Sequence, residues 1–404
     1  MPLSTRSRAD AAAFAASLDS GKARLILIVA GEASADLHGA NLVAAMRRMH
    51  PGAVFRGIGG ERMEKAGVQT LFSSSQMAVV GITEVFSRLR VITRAYWNLR
   101  TFLKFQHPDL LILIDYPDFN LRLAAAARRF RVPVLYYISP QVWAWRPGRV
   151  KKLARRVDRM AVILPFEEEF YRDRGMEVEY VGHPLMDIVP RGLKREEILR
   201  DLGLGDRSPI LGLLPGSRTE EVMSLLPVMI RAAEVLAARY RDLTCLLPLA
   251  STIPPDLVRS FTERSSLPIK VLQGDIYRLL TACDLAFVAS GTATLETAIL
   301  LVPMVILYRV SPLSFWLARR VVRVPHIGLV NLVAGEQIVP ELIQHDVTAE
   351  RVADEGLAIL ESSQRRENMV QKMKALRDRL GTGSASERTA AIAIELMRTR
   401  NGSG

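Results

Sequence analysis

Residues 284–296 read Asp-Leu-Ala-Phe-Val-Ala-Ser-Gly-Thr-Ala-Thr-Leu-Glu, and this stretch indicates how the chain folds. The apolar run from Leu285 to Ala289 predicts a buried strand, and the residues from Ala293 to Leu301 predict a helix. A strand, a tight turn and a helix start present free backbone N–H groups and a positive dipole end to a phosphate. The turn between strand and helix consists of Ser290, Gly291 and Thr292.

A second turn of the same kind follows the predicted strand Ile210 to Leu214. It reads Pro-Gly-Ser-Arg over residues 215–218 and opens a helix. Gly216 permits close backbone approach, Ser217 can cap the helix, and Arg218 offers a planar fork for phosphate oxygens. As a lone turn it is weak evidence for a phosphate site.

Glu296 is the third element of the pattern. It lies just over one turn into the helix that follows residues 290–292, where its carboxylate can accept hydrogen bonds from sugar hydroxyls. Taken alone, residues 284–296 are more typical of an ordinary βα turn. The two turns and Glu296 in one sheet together predict the phosphate and ribose contacts of a nucleotide.

Alternating strand and helix patterns run through the whole chain. With short loops, this alternation predicts α/β domains with parallel, doubly wound sheets, and 404 residues exceed what one hydrophobic core usually supports. We therefore expect two Rossmann-like domains. The predicted division is a flexible extension over 1–22, an N-terminal Rossmann-like domain over 23–186, a C-terminal Rossmann-like domain over 187–365, and C-terminal helices over 366–404 that return to the N-terminal domain or a partner subunit.

Acidic residues follow two strands of the first domain. Glu32 and Asp36 come after its first predicted strand, and Asp115 and Asp118 come after a later one. The carboxyl ends of strands are where open α/β sheets bind ligands. We expect Asp115 to be a general base that deprotonates an attacking hydroxyl, while Asp118 caps the next helix. In the alternative, Asp115 only holds its loop.

The charge balance indicates an anionic partner. The chain carries 54 Lys and Arg against 42 Asp and Glu, a formal net charge of +12. Such an excess favours nucleic acid, an acidic membrane surface or phosphorylated substrates. Nucleic acid is not expected, because the basic residues are scattered over sheet-covering helices and no nucleic-acid motif occurs. Cys245 and Cys283 lie in apolar surroundings, which is typical of core residues in a cytoplasmic protein.

Several kinds of site are excluded by missing patterns. Neither Gly-x-Gly-x-x-Gly nor Gly-x-x-x-x-Gly-Lys-Ser/Thr occurs, which argues against a dinucleotide oxidoreductase and a P-loop NTPase. The sequence has no Asp-x-Asp pair or His/Cys cluster suited to a metal. We therefore expect no cofactor and no metal, with phosphate charge balanced by Arg218 and helix N-termini.

The segment from Val85 to Lys104 is both apolar and basic. A helix of this composition can lie at an anionic lipid interface. A helix that covers the sheet and exposes a basic side explains the composition equally well, and both interpretations can hold at its two ends. The candidate membrane or acyl-chain contacts are Val85, Phe86, Leu89 and Ile92.

Nine short motifs run in order through almost the whole chain. They are Ala30-Gly-Glu-Ala-Ser-Ala-Asp36, Gly57-Ile-Gly-Gly60, Ile114-Asp-Tyr-Pro-Asp-Phe-Asn120, Ser139-Pro-Gln-Val-Trp-Ala-Trp-Arg146, Leu164-Pro-Phe-Glu167, Val181-Gly-His-Pro184, Leu214-Pro-Gly-Ser-Arg218, Ser290-Gly-Thr-Ala293 and Asn331-Leu-Val-Ala-Gly335. Together they resemble the lipid-A-disaccharide synthases, GT-B-fold glycosyltransferases of Gram-negative bacteria. In that fold two Rossmann-like domains face each other across a cleft.

The resemblance implies a reaction and its partners. The substrates would be UDP-2,3-diacylglucosamine and 2,3-diacylglucosamine 1-phosphate, and the products the β(1→6)-linked tetraacyl disaccharide 1-phosphate and UDP. Because an α-linked donor gives a β product, the reaction inverts, and a single displacement with one general base suffices. The enzyme would be cytoplasmic and peripheral on the inner face of the inner membrane. The family's C-terminal segment can also exchange between the subunits of a homodimer.

The resemblance also implies roles for individual residues. Asp115 matches the favoured base or acceptor-orienting residue, Glu32 matches a residue near the cleft, and these two are the predicted catalytic residues. Three positions depart from the family pattern, and they affect loop stiffness more than chemistry: Ala35, Glu61 and Val330 replace Gly, Pro and Pro. The positions that match the UDP side are Arg218, Ser290 to Thr292, Glu296 and Asn331.

Two alternative functions stay open at this point. Another GT-B enzyme, either an N-acetylglucosaminyl transferase acting on a lipid carrier or a UDP-sugar epimerase, would use the same UDP site with an unacylated sugar. Turnover that depends on the acyl chains separates these enzymes from a synthase. A nucleic-acid-binding protein would instead show salt-sensitive binding to nucleic acid without UDP release.

Overall fold

The computed structural model describes residues 23–74, 85–145, 147–205, 209–312, 315–316 and 324–399. The chain divides into two compact units. Unit 1 comprises Met1–Asp187 together with Gly383–Gly404, and unit 2 comprises Ile188–Thr382. Each unit is an α/β body built on its own parallel sheet.

The sheet of unit 1 contains strands β1 (Arg24–Ala30), β2 (Ala53–Gly59), β3 (Val68–Ser73), β4 (Leu110–Ile114), β5 (Val134–Tyr137), β6 (Arg159–Val162) and β7 (Glu179–Tyr180). They pair in parallel in the order β3-β2-β1-β4-β5-β6-β7. Because side chains alternate along a strand, Ile26 and Ile28 enter the core on one face while Leu27 and Val29 enter the core on the other. Burial on both faces explains why these strands are almost continuously apolar.

The sheet of unit 2 contains strands β8 (Ile210–Leu214), β9 (Thr244–Pro248), β10 (Ile269–Leu272), β11 (Leu285–Ala289), β12 (Met304–Tyr308) and β13 (Glu341–Ile343). They pair in parallel in the order β10-β9-β8-β11-β12-β13. Both sheets therefore have the doubly wound topology that the strand and helix alternation predicts. Strands β3 and β13 were not predicted, since both lie at sheet edges and carry polar residues within short segments.

The helices, in chain order, are α1 (Ala33–Met49), α2 (Glu61–Lys65), α3 (Val85–Gln106), α4 (Pro117–Arg129), α5 (Val142–Trp145), α6 (Val150–Ala154), α7 (Pro165–Arg172), α8 (Leu185–Ile188), α9 (Arg195–Asp201), α10 (Thr219–Arg239), α11 (Pro255–Thr262), α12 (Ile276–Ala282), α13 (Thr292–Ile299), α14 (Leu329–Ala334), α15 (Ala349–Glu361), α16 (Ser363–Arg379) and α17 (Ala385–Thr399). In the part of the chain that the structure describes, no helix is long and apolar enough to cross a membrane.

The last helix, α17, belongs to unit 1 rather than to unit 2. It packs with α1 on one face of the first sheet, while α3 and α4 cover the other face. The carboxylate of Asp187 accepts hydrogen bonds from the backbone N–H groups of Ala385 and Ser386, at 3.2 and 3.0 Å. An acidic side chain thus caps the N-terminus of α17 and attaches the C-terminal segment to the first sheet.

The order of the strands reverses at one point in each sheet. In unit 1 the chain continues outward from β1 in one direction and from β4 in the other, and in unit 2 the same holds for β8 and β11. Ligands of doubly wound sheets bind beyond the carboxyl ends of the strands at such a point. A ligand site is therefore expected at the residues that follow β1 and β4 in unit 1, and β8 and β11 in unit 2.

Candidate active site

The turn after β4 contains two consecutive residues in the left-handed backbone region. Asp115 has a φ of 47° and Tyr116 a φ of 48°, a conformation that costs a residue with a side chain roughly 1–3 kcal/mol. Two buried side chains hold the turn by donating hydrogen bonds to the carbonyl oxygen of Asp115. Nδ2 of Asn120 and the hydroxyl of Tyr136 each lie 2.6 Å from it. Strain that is fixed in this way is typical of functional sites.

The turns after β1 and β4 pack directly against each other. A Cβ atom on Gly31 would lie 2.5 Å from Cγ of Tyr116, so the tyrosine ring covers the glycine backbone. The ring of Phe119 lies 5.6 Å from the ring of Tyr116, measured between centroids. Only glycine at position 31 permits this contact, and the contact helps to fix the position of Asp115.

Burial raises the pKa of the Asp115 carboxyl to about 6. The nearby carboxylate of Glu32 raises this pKa further, while the backbone N–H of Tyr116 opposes the change. A carboxylate with a pKa near neutrality is suited to accept a proton from a hydroxyl group. The structure thus brings together the two acidic residues that the sequence predicts as catalytic, one from each side of the reversal in strand order.

Glu32 and Asp36 differ in what they contact. Glu32 precedes α1, makes no capping hydrogen bond and is exposed. Asp36 is buried, and its carboxylate accepts hydrogen bonds from three backbone N–H groups at the start of α2, at 2.6 to 3.2 Å. Asp36 therefore stabilises the start of α2, whereas Glu32 is accessible to a ligand.

The predicted capping role of Asp118 is wrong. Helix α4 begins at Pro117, and the residue before it, Tyr116, is the N-cap. Asp118 lies inside the first turn and pairs with Arg149, with 2.8 Å between Oδ1 and Nη2. Since the strained turn is held through the Asp115 carbonyl, no side-chain cap is needed there.

A fully buried carboxylate organises the segment after β5, and the sequence analysis missed its role. Glu167 accepts hydrogen bonds from the hydroxyl of Ser139 at 2.5 Å and from Nε1 of Trp143 at 3.1 Å. It also accepts from the N–H groups of Ile163 and Leu164. Burial raises the pKa of Glu167, and these donors oppose the change. One sequence feature could have indicated this role: Glu167 follows Leu164 by three residues, which is the spacing of a capping box.

In unit 2, the loop after β8 reaches the start of α10. Gly216 has a φ of 108°, which favours glycine. The N-cap is Arg218 rather than Ser217, and the N–H groups of both residues donate to Oε2 of Glu221, at 3.3 and 3.1 Å. The guanidinium of Arg218 pairs with Oε1 of the same glutamate at 2.8 Å. Glu221 was not predicted from the sequence as part of this loop.

The turn after β11 lies beside this loop, because β8 and β11 are neighbours. The hydroxyl of Ser290 donates to the carbonyl oxygen of Ile327 at 3.0 Å. Gly291 is extended, and a Cβ atom there would meet open space. Thr292 is exposed and begins α13. The two predicted phosphate turns thus open on the same edge of one sheet.

Glu296 lies on α13 and is largely buried. Its Oε1 accepts a hydrogen bond from the hydroxyl of Tyr277 on α12 at 3.0 Å. Burial raises the pKa of Glu296, and the bond from Tyr277 lowers it in part. The tyrosine therefore supports a carboxylate that accepts hydrogen bonds, and it is a further residue that the sequence analysis missed.

Asn331 is completely buried, and its side-chain amide forms hydrogen bonds with other groups of unit 2. Nδ2 donates to the carbonyl oxygen of Val339 and to Oε1 of Glu341, at 2.9 and 2.7 Å. Oδ1 accepts from the N–H groups of Ile338 and Val339. The structure thus places Asn331 in the interior of unit 2, unlike the exposed turns at residues 216–218 and 290–292.

The basic, apolar segment forms α3. The side chains of Val85, Phe86 and Leu89 lie outside the described residues, and Ile92 packs against the core of unit 1. Further along α3, Trp97 is 53% exposed and Phe105 is 66% exposed. Arg100 and Lys104 lie over these two rings, 5.1 and 4.9 Å from the centroids. This end of α3 presents aromatic and basic side chains together.

Among the described residues, no group of three or more His, Cys, Asp and Glu side chains is arranged to hold a metal ion. Among the described residues of unit 2, the groups that face solvent for an anionic ligand include the Arg218 guanidinium, which pairs with Glu221, and the backbone N–H groups of Gly291 and Thr292.

The amino-acid sequence of this chain is similar to those of known proteins. A family model described as lipid-A-disaccharide synthetase matches residues 26–395. A lipid-A-disaccharide synthase of Geobacter sulfurreducens is 50% identical over 92% of this chain and 97% of its own length. The synthase of Nitrosococcus oceani is 45% identical over 94% and 98%.

Solved structures with this fold are more distant in sequence. A UDP-GlcNAc 2-epimerase from Neisseria meningitidis, bound to UDP-GlcNAc, has a TM-score of 0.64 and 11% identity over 92% of this chain and 100% of its own. The calicheamicin glycosyltransferase CalG4 has a TM-score of 0.58 and 15% identity over 94% and 99%. At such identities the likeness concerns the fold alone, which is that of GT-B glycosyltransferases and epimerases.

Proposed function

The chain belongs to the lipid-A-disaccharide synthetase family, and we propose that it condenses two acylated glucosamines as a glycosyltransferase. The donor is UDP-2,3-diacylglucosamine and the acceptor is 2,3-diacylglucosamine 1-phosphate. The products are the β(1→6)-linked tetraacyl disaccharide 1-phosphate and UDP. The observation that carries this proposal is 40–50% identity to synthases over more than nine-tenths of the chain. The epimerases share only the fold, at 11–14% identity, so the synthase is favoured over an epimerase.

Unit 2 binds the nucleotide of the donor in this proposal. The diphosphate takes the guanidinium of Arg218, the N–H groups of Gly216 to Arg218 and those of Gly291 and Thr292, at the N-termini of α10 and α13. The N–H group of Ser290 stays in the sheet, where it donates to the carbonyl oxygen of Leu307 at 2.9 Å. Both turns follow the strands at which the strand order reverses. Glu296, supported by Tyr277, accepts hydrogen bonds from the ribose hydroxyls.

Asn331 is a positioning residue rather than a ligand contact in this proposal. Its amide and Glu341 connect α14 to the segment 338–341. Glu341 also accepts from the N–H groups of Ile327 and Gly328, and Ile327 accepts from Ser290. Asn331 thereby acts on the Ser290 turn through two intermediate groups.

Asp115 is the general base of the transfer. The 6-hydroxyl oxygen of the acceptor forms a bond to C1 of the donor sugar, and the bond from C1 to the β-phosphate oxygen breaks. UDP leaves with that electron pair, and the hydroxyl proton passes to the carboxylate of Asp115. The raised pKa of Asp115 supports this role, because a carboxylate of ordinary pKa is a weaker base. Glu32 contributes by keeping this pKa high.

The exposed end of α3 attaches the enzyme to the anionic membrane surface where its acylated substrates lie. Trp97 and Phe105 enter the interface, and Arg100 and Lys104 meet the lipid phosphates. Exposed aromatic rings beside cations are suited to such a surface, and the net charge of +12 adds long-range attraction.

The direct test is to incubate the purified protein with UDP-2,3-diacylglucosamine and 2,3-diacylglucosamine 1-phosphate and to measure UDP and disaccharide. We expect both products in equal amounts. The matched control replaces the donor by UDP-N-acetylglucosamine, which carries no long acyl chain. Equal turnover of that donor, or its epimerisation, would contradict the proposal and favour the alternative enzyme.

A further inference from the structure

Glu221 occupies the anion-binding end of unit 2. Its Oε2 accepts hydrogen bonds from the backbone N–H groups of Ser217 and Arg218, at 3.1 and 3.3 Å. Its Oε1 accepts from Nη1 of Arg218 at 2.8 Å. These three donors are the ones that the proposed function gives to the donor diphosphate. A carboxylate presents two anionic oxygens on one atom, as one edge of a phosphate does.

Ordinary helix capping accounts for only part of this arrangement. A glutamate at the third helical position commonly accepts from the N–H group of the N-cap, which here is Arg218. Capping does not explain the bond from the N–H group of Ser217, which precedes the N-cap. It does not explain the bond from the Arg218 guanidinium either, because that donor belongs to a side chain. The carboxylate reaches them because Gly216 leaves room, since a Cβ atom at that position would collide with Glu221. The carboxylate therefore accepts from three N–H donors of the loop at once.

The contact is weak enough for a nucleotide to displace. The side chain of Arg218 is 76% exposed and that of Glu221 is 26% exposed. An ion pair with one partner largely in solvent contributes little to stability. A diphosphate carries more negative charge than one carboxylate and also reaches the Ser290 turn. After displacement, Glu221 remains attached to the first turn of α10, so its charge stays close to the bound diphosphate.

We propose that Glu221 is an internal substitute for the donor diphosphate, which lowers the affinity of the site for nucleotide and thereby promotes UDP release. This inference rests on the proposed function. In the free enzyme the carboxylate satisfies the donors of the loop and holds them in place. The donor sugar nucleotide displaces it, and the carboxylate returns as UDP leaves. Neutralising Glu221 removes both the competitor and the repulsion.

The test measures UDP binding to the full chain by calorimetry at neutral pH. In Glu221→Gln the side chain keeps its size and loses its charge, and we expect UDP to bind about tenfold more tightly. The inhibition constant of UDP in the transfer assay should fall by a similar factor. Glu220→Gln is the matched control, because it removes the same charge from the same helical turn at an exposed position. We expect this control to change UDP affinity less than twofold.

The outcomes are distinguishable. A folded Glu221→Gln enzyme that binds UDP as wild type does, or more weakly, would overturn the inference, because loss of a mere cap gives that result. If Glu221→Gln does not fold, Glu221→Asp serves instead, since it keeps the charge but is too short to hold all three donors. Unchanged UDP affinity in that variant would equally contradict the role of Glu221. Wild-type protein that binds no UDP would instead refute the proposed function.

Discussion

The hydroxyl of Tyr136 donates a hydrogen bond of 2.6 Å to the carbonyl oxygen of Asp115. Tyr136 lies on β5, next to β4, and is completely buried. With the equally short bond from Asn120, it fixes Asp115 through the backbone. Both bonds go to the carbonyl oxygen, so they hold the strained turn without using the Asp115 carboxylate, which the proposed function gives to the acceptor.

Removing that hydroxyl should impair catalysis more than binding. For Tyr136→Phe we expect kcat to fall by roughly tenfold to a hundredfold, because small displacements of a catalytic group have effects of this order. The KM for the donor should change little, since the proposed nucleotide site lies in unit 2. Steady-state kinetics check both values. Tyr171→Phe is the control, because it deletes a buried hydroxyl that donates to Pro140 instead, and normal kcat in Tyr136→Phe would contradict the role.

A methyl group at position 31 should act on the same turn from the opposite side. In Gly31→Ala the new Cβ atom would collide with the ring of Tyr116. We expect a loss of kcat on the order of tenfold or more, as the ring and the adjacent Asp115 are displaced. Gly148→Ala is the matched control, since a Cβ atom there meets open space. If the two variants are equally active, the packing of Tyr116 on Gly31 does not position the base.

The pH profile should report the carboxylate of Asp115. A base acts only when deprotonated, so kcat/KM should rise as the pH increases through about 6 and then level off. In Glu32→Gln the neighbouring negative charge is lost, the pKa of Asp115 falls, and the rising limb should move to lower pH. Measurement of kcat/KM across this pH range tests the shift. A limb that stays in place would show that Glu32 does not influence the base, and a limb that moves to higher pH would contradict the direction of its effect.

Membrane attachment should depend on the exposed end of α3. We expect Trp97→Ser combined with Phe105→Ser to reduce cosedimentation with vesicles that contain anionic lipid several-fold, because both rings are exposed. The fold should persist, which thermal unfolding would verify. Ile92→Ser is unsuitable for this purpose, since Ile92 packs against the core. Met223→Ser in unit 2, also an exposed apolar residue, is the control, and equal binding of both variants would refute the proposed contact.

Local patterns predicted the fold and the positions of the turns. The apolar run before Ser290 and the small residues after Leu214 identify strand ends, and strands with intervening helices form parallel doubly wound sheets. The acidic residues Glu32 and Asp115 could be predicted as a pair, because carboxyl ends of neighbouring strands meet at one edge. The family motifs supplied the substrates, which no local pattern specifies.

Contacts between distant residues could not be predicted in the same way. Nothing in the sequence indicates that Tyr136 donates a hydrogen bond to Asp115 or that Glu341 accepts one from the amide of Asn331. Both hydrogen bonds depend on how strands and loops pack in three dimensions. Glu221 was missed for a different reason. A glutamate in the first turn of a helix is common, and only the geometry of Gly216 shows how far its carboxylate reaches.

The variant Asp115→Asn tests most directly whether Asp115 is the general base. The amide keeps the size of the side chain but accepts no proton, so we expect the transfer rate to fall on the order of a hundredfold or more. UDP affinity, measured on the same preparation, should stay within about twofold of wild type, since the proposed nucleotide site lies in unit 2. An Asp115→Asn enzyme that makes disaccharide at the wild-type rate would contradict the account.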